Sequence, residues 1–374
     1  MEFGLMFFSG SDRPAGRDRY ALVREASRFA DRAGFCAVWT PERHFDEFGG
    51  LFPNPSVLSA AIAMITDRIQ IRAGSLISPL HDPIRIAEEW SVVDNLSNGR
   101  VAISFGSGWN ADDFVFHPEH YAERQARLYQ DIDEVTRLWR GGTIARRNGA
   151  GAAVDVRVRP RPLQADLPLW ITSSGHVETF VSAGRLGANV LTHLIGQTID
   201  QLAEKIRRYR EARAAAGFDA SSGIVSVMLH TFIGPSFDEV VRIVKAPMCA
   251  YLQTAVRLEQ RAAAGGGAIS GGHRVEPHAI EEESMQDLIE RTFQRYVRTA
   301  SLLGTIETGK AMVAQLAERG VNEIACLVDF GPTDEQVMAS LTHLDALRRA
   351  CSDDATAAAA AEAALISDFT ASLH

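Results

Sequence analysis

Phe35-Cys36-Ala37-Val38-Trp39-Thr40-Pro41-Glu42-Arg43-His44-Phe45-Asp46-Glu47-Phe48-Gly49 is the stretch that decides the fold. Its first half is apolar enough to be a buried strand, and its second half crowds ionisable and aromatic side chains together. Parallel α/β proteins carry their chemistry just past the carboxyl ends of their strands. A surface loop held by salt bridges has the same local composition, so the rest of the chain must decide.

The rest repeats a strand-then-helix rhythm. Glu2–Phe8 is a short apolar run, and Tyr20–Ala33 has helical periodicity through Leu22, Ala26, Phe29 and Ala30, ending at Gly34. After the strand Phe35–Thr40, a helix over Ser56–Ile65 follows Pro53-Asn54-Pro55. Strand Ile69–Gly74 leads to helix Ile84–Leu96, opened by Pro83 and stopped at Asn98-Gly99. Strand Val101–Phe105 precedes a long helix around Glu123–Trp139. Pro168–Thr172, Asn189–His193 and Ile224–Phe232 read as three more strands; Glu323–Val328 is the eighth, between helices Glu307–Glu318 and Asp334–Arg349. Alternating strands and helices imply parallel βαβ units. Eight of them in 374 residues predict a (β/α)8 TIM barrel over residues 1–350 rather than an open sheet.

Two segments break the rhythm. Ala152–Pro162 alternates polar residues with Val154, Val156 and Val158, which predicts a short β excursion. A larger insertion spans about Pro247–Arg298: its flanks, Tyr251–Arg261 and Glu281–Tyr296, read as helices, and its middle, Ala262–Gly272, is rich in Ala and Gly. Insertions at the carboxyl-end face serve as lids or substrate walls, and that is the expectation here. Residues 351–374 form an Ala-rich tail with no assigned function.

Composition narrows the partners. Hydrophobic residues make up 46% and charged residues 23%, the balance of a folded globular chain. A net charge of −9 argues against nucleic acid or an anionic membrane, either of which needs a basic surface. The N-terminus lacks the basic region of a signal peptide, and no apolar run reaches the length of a membrane span. Cys36, Cys249, Cys326 and Cys351 show no metal or redox spacing. A cytoplasmic location without a metal centre is therefore expected.

Three loops after strands have the makings of a phosphate or flat-ligand site. Gly106-Ser107-Gly108-Trp109-Asn110 follows the fourth strand; its glycines admit close backbone approach and Trp109 offers an apolar face. It is not a dinucleotide fingerprint, because the third glycine is missing. Thr172-Ser173-Ser174-Gly175-His176 opens a helix after the fifth strand, where successive N–H groups and two hydroxyls suit a phosphate. An ordinary serine N-cap would look alike. Gly74-Ser75-Leu76-Ile77-Ser78-Pro79, after the third strand, lets main chain press on a flat ligand or simply turns.

Taken in order, these pieces resemble the bacterial luciferase-like flavin monooxygenases over nearly the whole chain. The supporting stretches are Glu42–Gly49, Asn54-Pro55, Gly74–Glu89, Asp94–Arg100 and Ser107–Phe114. Tyr121–Arg124, Leu138–Gly141, Phe293–Tyr296 and Leu303–Thr305 are similar to the subgroup encoded with polyketide and non-ribosomal peptide synthases. The resemblance implies a TIM barrel binding reduced FMN at the carboxyl end. It implies a non-prolyl cis peptide at Gly74-Ser75 or Ser75-Leu76 against the flavin ring. It further implies flavin-lining residues Ser107, Gly108, Trp109 and Asn110, and phosphate-binding residues Ser173, Ser174 and Gly175. Luciferase itself has two histidines before the phenylalanine of its motif, the first being catalytic. Here Arg43 stands at the first position and His44 at the second.

The implied reaction is that of a two-component monooxygenase. FMNH2 from a separate flavin reductase meets O2, and the resulting C4a-(hydro)peroxide oxygenates a natural-product intermediate, with an acyl or peptidyl carrier protein as a candidate presenter. Arg43 would stabilise an anionic peroxide, favouring attack on a carbonyl, whereas a neutral His44 would shuttle the proton that favours hydroxylation. His193, ending the sixth strand, is a second candidate acid–base group, with a hydrogen-bonded core histidine as its plain alternative. A homodimer is expected. The rival readings are an F420-dependent oxidoreductase of the same superfamily and a catalytically silent flavin-binding protein.

Overall fold

Eight parallel strands close into a barrel in the computed structural model of the chain, which describes residues 1–8, 18–264 and 282–371. In chain order the strands are β1 (Glu2–Met6), β2 (Ala37–Thr40), β3 (Gln70–Ile77), β4 (Val101–Gly106), β5 (Ile144–Arg147) and β6 (Ala153–Val156). They continue as β7 (Leu169–Thr172), β8 (Asn189–His193), β9 (Val225–Ile233), β10 (Leu302–Gly304) and β11 (Glu323–Leu327). The barrel runs β1-β2-β3-β4-β7-β8-β9-β11, closed by the pairing of β11 with β1. The helices are α1 (Ala21–Ala33), α2 (Pro55–Ala63), α3 (Pro83–Ser97), α4 (Arg124–Trp139) and α5 (Val177–Arg185). They continue as α6 (Ile199–Ala215), α7 (Phe237–Ala264), α8 (Glu282–Thr299), α9 (Ile306–Glu318) and α10 (Asp334–Ala371).

Strand parity sorts the side chains into two cores. Val225, Val227 and Leu229 of β9 face the helices, while Met228 joins Met6, Trp39, Ala102, Trp170, Leu191 and Leu327 inside the barrel. The middle interior layer is bulky, with Trp39 meeting Trp170 edge-to-face at 5.7 Å. Toward the amino end, Arg72 inserts its guanidinium between those indoles, 4.8 and 4.3 Å from the ring centroids. It pairs with buried Glu323 at 2.7 Å. Toward the carboxyl end the interior turns small and polar: Ser104 and Thr172 hydroxyls hydrogen-bond at 2.7 Å, and Gly74 leaves no room for a side chain. That change of size makes the floor of a site.

The β excursion starts earlier than the sequence pattern shows: β5 and β6 form an antiparallel hairpin from Ile144 to Val156, turning at Asn148–Gly151. Strand β3 runs past Gly74 to Ile77, with a register shift between Gly74 and Leu76 where it pairs with β4. The ninth parallel strand, β10, extends the end of β9 where the insertion returns. Its three residues are too few for periodicity to reveal.

Helix α7 begins at Phe237 and carries Pro247 in its interior, so Pro247 does not open a new element. The Pro247 side chain lies against Gly331, whose φ of +130° and lack of a Cβ leave it space. Val240, Val244, Met248 and Leu252 form a buried i, i+4 stripe; α7 packs on α8, whose Ile289, Phe293 and Val297 join the same core. Most of the Ala/Gly-rich stretch Ala262–Gly272 lies outside the described residues, as does the end of the tail, whose helix is described to Ala371.

The Arg72–Glu323 pair gives a stability prediction. Glu323→Ala strands a buried guanidinium and should destabilise the fold by about 3–5 kcal/mol, read from the denaturant midpoint. The double variant Arg72→Met/Glu323→Leu should recover most of that loss.

Candidate active site

The chain leaves β2 at Thr40, crosses Pro41, and buries the carboxylate of Glu42 at the carboxyl end of the barrel. Oε2 accepts the Ile77 N–H at 2.6 Å. Oε1 lies 2.6 Å from His81 Nε2 and 3.0 Å from His44 Nε2. An ionised carboxylate can only accept, so both imidazoles carry hydrogen on Nε2 toward it. Burial pushes Glu42 up, but the His44 and His81 bonds and the Ile77 N–H outweigh it and hold the carboxyl below its usual range. Burial likewise pushes His81 down, and the Glu42 carboxylate more than reverses that.

The clamp aims its neighbours. Arg43 is 6% exposed and stands over the rings of Phe8 and Trp109, 5.6 and 5.2 Å from their centroids. Its Nη1 reaches Asp113 Oδ2 at 3.5 Å, a loose ion pair, and its Nε has no hydrogen-bond partner among the described residues. Burial lowers the Arg43 pKa and raises that of Asp113, each opposed by the other's charge. Gly49, at φ +76°, packs on Arg43: a Cβ there would sit 3.1 Å from its Cβ and Cγ. The His44 ring meets Phe116 edge-to-face at 5.0 Å, beside exposed Phe45.

The loops after β3 and β4 form the flat part. The Gly74–Ser75 peptide is cis, the first of the two positions the resemblance allows. A Cβ at Gly106 would touch Ser75 at 3.3 Å, and one at Gly108 would clash with Ile77 and Phe114. The Trp109 ring lies under Arg43, and the Ser107 hydroxyl accepts from Gln125. Asn110 is spent on the loop itself: it caps Asp112 N–H at 3.3 Å and donates to Asp113 at 3.1 Å.

Around the barrel, β7 delivers Ser173, Ser174 and Gly175 to the start of α5, whose first turn receives no side-chain cap. Gly175 N–H donates to Ser173 Oγ at 3.2 Å, and Thr192 donates to the Ser173 carbonyl. Lys205, from α6, reaches over this loop: its Nζ would lie 3.3 Å from a Cβ at Gly175 and donates to Gln197 Oε1 at 2.7 Å. Desolvation alone pushes the Lys205 pKa down. A helix start, two hydroxyls and a half-buried ammonium form a donor set that suits a phosphate monoester.

His193 does not join Arg43 and His44. It ends β8, four strands from β2 and so across the barrel, where burial pushes its pKa down to about 4. Beside it, on β9, stands His230, fully buried and hydrogen-bonded to Tyr296 of α8 at 3.0 Å, with Tyr251 of α7 edge-on at 4.5 Å. Tyr251 also meets Phe48 at 4.8 Å, so α7 spans the mouth from β9 to the loop after β2. Sequence reasoning passed over Glu42, His81, Asp113, Lys205, His230 and Tyr251 as site residues. A signal existed for His230: an imidazole at the inward parity of a largely apolar strand. The one metal-type grouping among the described residues is His117, Glu119 and His120 on the exposed rim.

Residues 1–323 match the luciferase-like monooxygenase family, and the chain belongs to it. It is 25% identical over 235 residues to the oxygenase component of the flavin-dependent trigonelline monooxygenase of Acinetobacter baylyi, covering 61% of this chain and 63% of that protein. The crystal structure of monooxygenase RslO1 from Streptomyces bottropensis superposes with a TM-score of 0.73 at 23% identity, covering 92% and 98% of the two chains. The oxygenating constituent of 3,6-diketocamphane monooxygenase from Pseudomonas putida, in complex with FMN, gives a TM-score of 0.66 at 17% identity over 92% and 98%. F420-dependent enzymes are also among the proteins of the same fold.

The Glu42 clamp predicts a pH dependence with a definite sign. His81 is raised by folding from 6.5, so its contribution to stability is present below that value and is lost as pH rises through the raised value. Glu42 is lowered, so its contribution is present above its unfolded value and is lost as pH falls through the folded one. Glu42→Gln should remove both dependences and lower the His81 titration midpoint, measured by NMR. An unmoved His81 midpoint would rule the clamp out.

Proposed function

We propose that the chain is the oxygenase of a two-component flavin monooxygenase, taking FMNH2 from a separate reductase. The observation that carries this reading is the placing of two cationic groups at different strand ends of one barrel mouth. Lys205 stands at the phosphate-type cradle of Ser173, Ser174 and Gly175, and Arg43 stands over Trp109 and Phe8. A flavin mononucleotide has a charged phosphate at one end and a flat ring at the other, and this geometry offers a partner for each. The cis Gly74–Ser75 step, with Gly106 and Gly108, gives the ring a close backbone surface.

When bound in reduced form, the flavin supplies the two electrons that split O2 between substrate and water. The chain's own residues do the rest. Lys205, Ser173 and Ser174 hold the phosphate, and Ser75, Ser107 and Trp109 line the ring. Arg43 supplies positive charge to an oxyanion at the mouth. His44, backed by Glu42, holds a proton at Nε2 and offers Nδ1 for exchange. Tyr251 and Tyr296 close the α7–α8 side against water.

The synthase-type stretches of the sequence extend the reading to natural-product biosynthesis with a carrier-bound substrate. Exposed Val57 on α2 and Met64 just after it, with Val92 and Leu96 on α3, offer an apolar face for a homodimer. The cysteines are all free thiols, which favours a cytoplasmic setting. Among the described residues, no helix is long and apolar enough to cross a membrane.

Affinities for FMN, FMNH2, riboflavin and F420, together with oxygen uptake, test the reading. FMNH2 should bind best and drive oxygen consumption; strictly anaerobic hydride transfer from F420H2 would overturn the proposal. Lys205→Ala should weaken FMN binding about 10- to 100-fold while sparing riboflavin, since a charged hydrogen bond is lost only with the phosphate. Ser174→Asp should do the same by charge repulsion. Arg43→Ala and His44→Ala should each slow oxygen uptake or raise peroxide leakage without unfolding the chain.

A further inference from the structure

His117-Pro118-Glu119-His120 sets two imidazoles and a carboxylate side by side, a spacing that a search through cysteines passes over. The segment follows β4, where the turn Ala111–Phe116 leads into a second, Pro118–His120. The His120 N–H closes that second turn on the His117 carbonyl. His117 Nδ1 lies 3.3 Å from Glu119 Oε1, and His120 Nε2 lies 3.8 Å from the same oxygen. One ligand-type atom from each of the three side chains falls within 4.8 Å of the other two.

The hydrogens on His120 define what the grouping lacks. Its Nδ1 stands 2.7 Å from the Pro79 carbonyl in the loop after β3. A carbonyl oxygen only accepts, so Nδ1 carries the hydrogen and the neutral ring presents a lone pair at Nε2. That lone pair faces the Glu119 oxygen at 3.8 Å, too far for a hydrogen bond. The Glu119 carboxyl is held below its usual range by its own backbone N–H and then by His117, so it is charged at pH 7. Two electron-rich atoms thus face each other across a gap. A metal ion bridges that separation where a hydrogen bond cannot.

The ligand types choose the ion. Zinc bonds of about 2.0–2.2 Å to nitrogen and carboxylate oxygen put tetrahedral ligand atoms about 3.3–3.6 Å apart. The separations of 3.3 and 3.8 Å need only small side-chain shifts to reach that range. Two imidazoles with one carboxylate suit zinc, nickel or copper, whereas magnesium and calcium take sets of oxygens. One ring must turn to complete the set. The two imidazoles stack at 4.7 Å with planes 15° apart, and near-parallel rings do not aim lone pairs at one point. Pro79 pins His120, so the ring that turns is His117, whose side chain is 38% exposed.

We propose that His117 Nδ1, Glu119 and His120 Nε2 bind one divalent transition-metal ion of the zinc class, with water completing its shell. His117 then carries its hydrogen on Nε2 instead of Nδ1. The ion stiffens the rim of the mouth, because the preceding turn carries Asp113, which pairs with Arg43, and Phe116, which touches His44. The site stands apart from the flavin reading and survives its failure.

The test uses the full chain, stripped with a chelator, freed of it, and titrated with zinc or magnesium alone. Calorimetry should find a zinc site of one ion per chain, at least about 100-fold tighter than magnesium. His117→Ala and His120→Ala should each weaken zinc at least about tenfold with unchanged circular dichroism, as should Glu119→Gln. Nitrogen-15 NMR of the wild-type chain needs no variant to fold. His120 should keep its hydrogen on Nδ1 throughout, its Nε2 signal should shift with zinc, and the His117 hydrogen should leave Nδ1. Amide exchange over residues 111–121 should slow about tenfold on adding zinc. Zinc that binds both histidine variants as tightly as the wild type is an adventitious ion elsewhere and overturns the site. A His120 Nε2 signal that zinc leaves unmoved does the same, and unchanged amide exchange overturns the stiffening.

Discussion

A single buried carboxylate sets the geometry of the barrel mouth. Glu42 holds the loop after β2 to the end of β3 through the Ile77 N–H, and it gathers His44 and His81 on one oxygen. An unpaired carboxylate at that depth would be protonated or would unfold the loop. Its three donors keep it charged, and the charge in turn fixes both histidines. Arg43, between two residues held by those bonds, stands over Phe8 and Trp109 rather than out to solvent. The motif at Glu42–Gly49 thus works as a unit: Gly49 is glycine because Arg43 occupies the space a Cβ would need.

The layers beneath explain why the site sits where it does. Trp39, Trp170 and Met6 fill the middle of the barrel, with Arg72 held between the two indoles. One layer up, glycine, serine, threonine and histidine replace them, so side-chain volume falls as the mouth is approached. A ligand can be flat and deep there without breaching the core. The α7–α8 pair then supplies tyrosines from above, which makes the insertion part of the wall rather than decoration.

Much of this was legible in the sequence, for physical reasons. Strands such as Val101–Gly106 are apolar apart from Ser104 because both faces are buried, and Asp82 before Pro83 caps α3 as such a pair should. The loops Gly74-Ser75, Ser107–Asn110 and Ser173–Gly175 announced themselves by glycine and hydroxyl content. What stayed hidden was long-range. Nothing near Lys205 says that α6 brings it over Gly175, and nothing near Tyr251 says that it will meet both His230 and Phe48. Nor does the chain near Pro247 say that its ring will be accommodated inside α7 by the glycine opposite. His193 was found by its place at a strand end, but its distance from Arg43 depends on how the barrel closes.

The two walls of the mouth differ in charge, and that difference constrains any chemistry between them. On the β2–β4 side, Arg43 and the Glu42-bound His81 keep positive charge near buried carboxylates. On the β8–β9 side, desolvation strips His193 and His230 of theirs. Negative charge that develops during a reaction is therefore met most directly beside Arg43, while on the other side only the more distant charge of Lys205 acts on His193. The tyrosines from α7 and α8 sharpen that difference by keeping water, which would screen both walls alike, away from the neutral one.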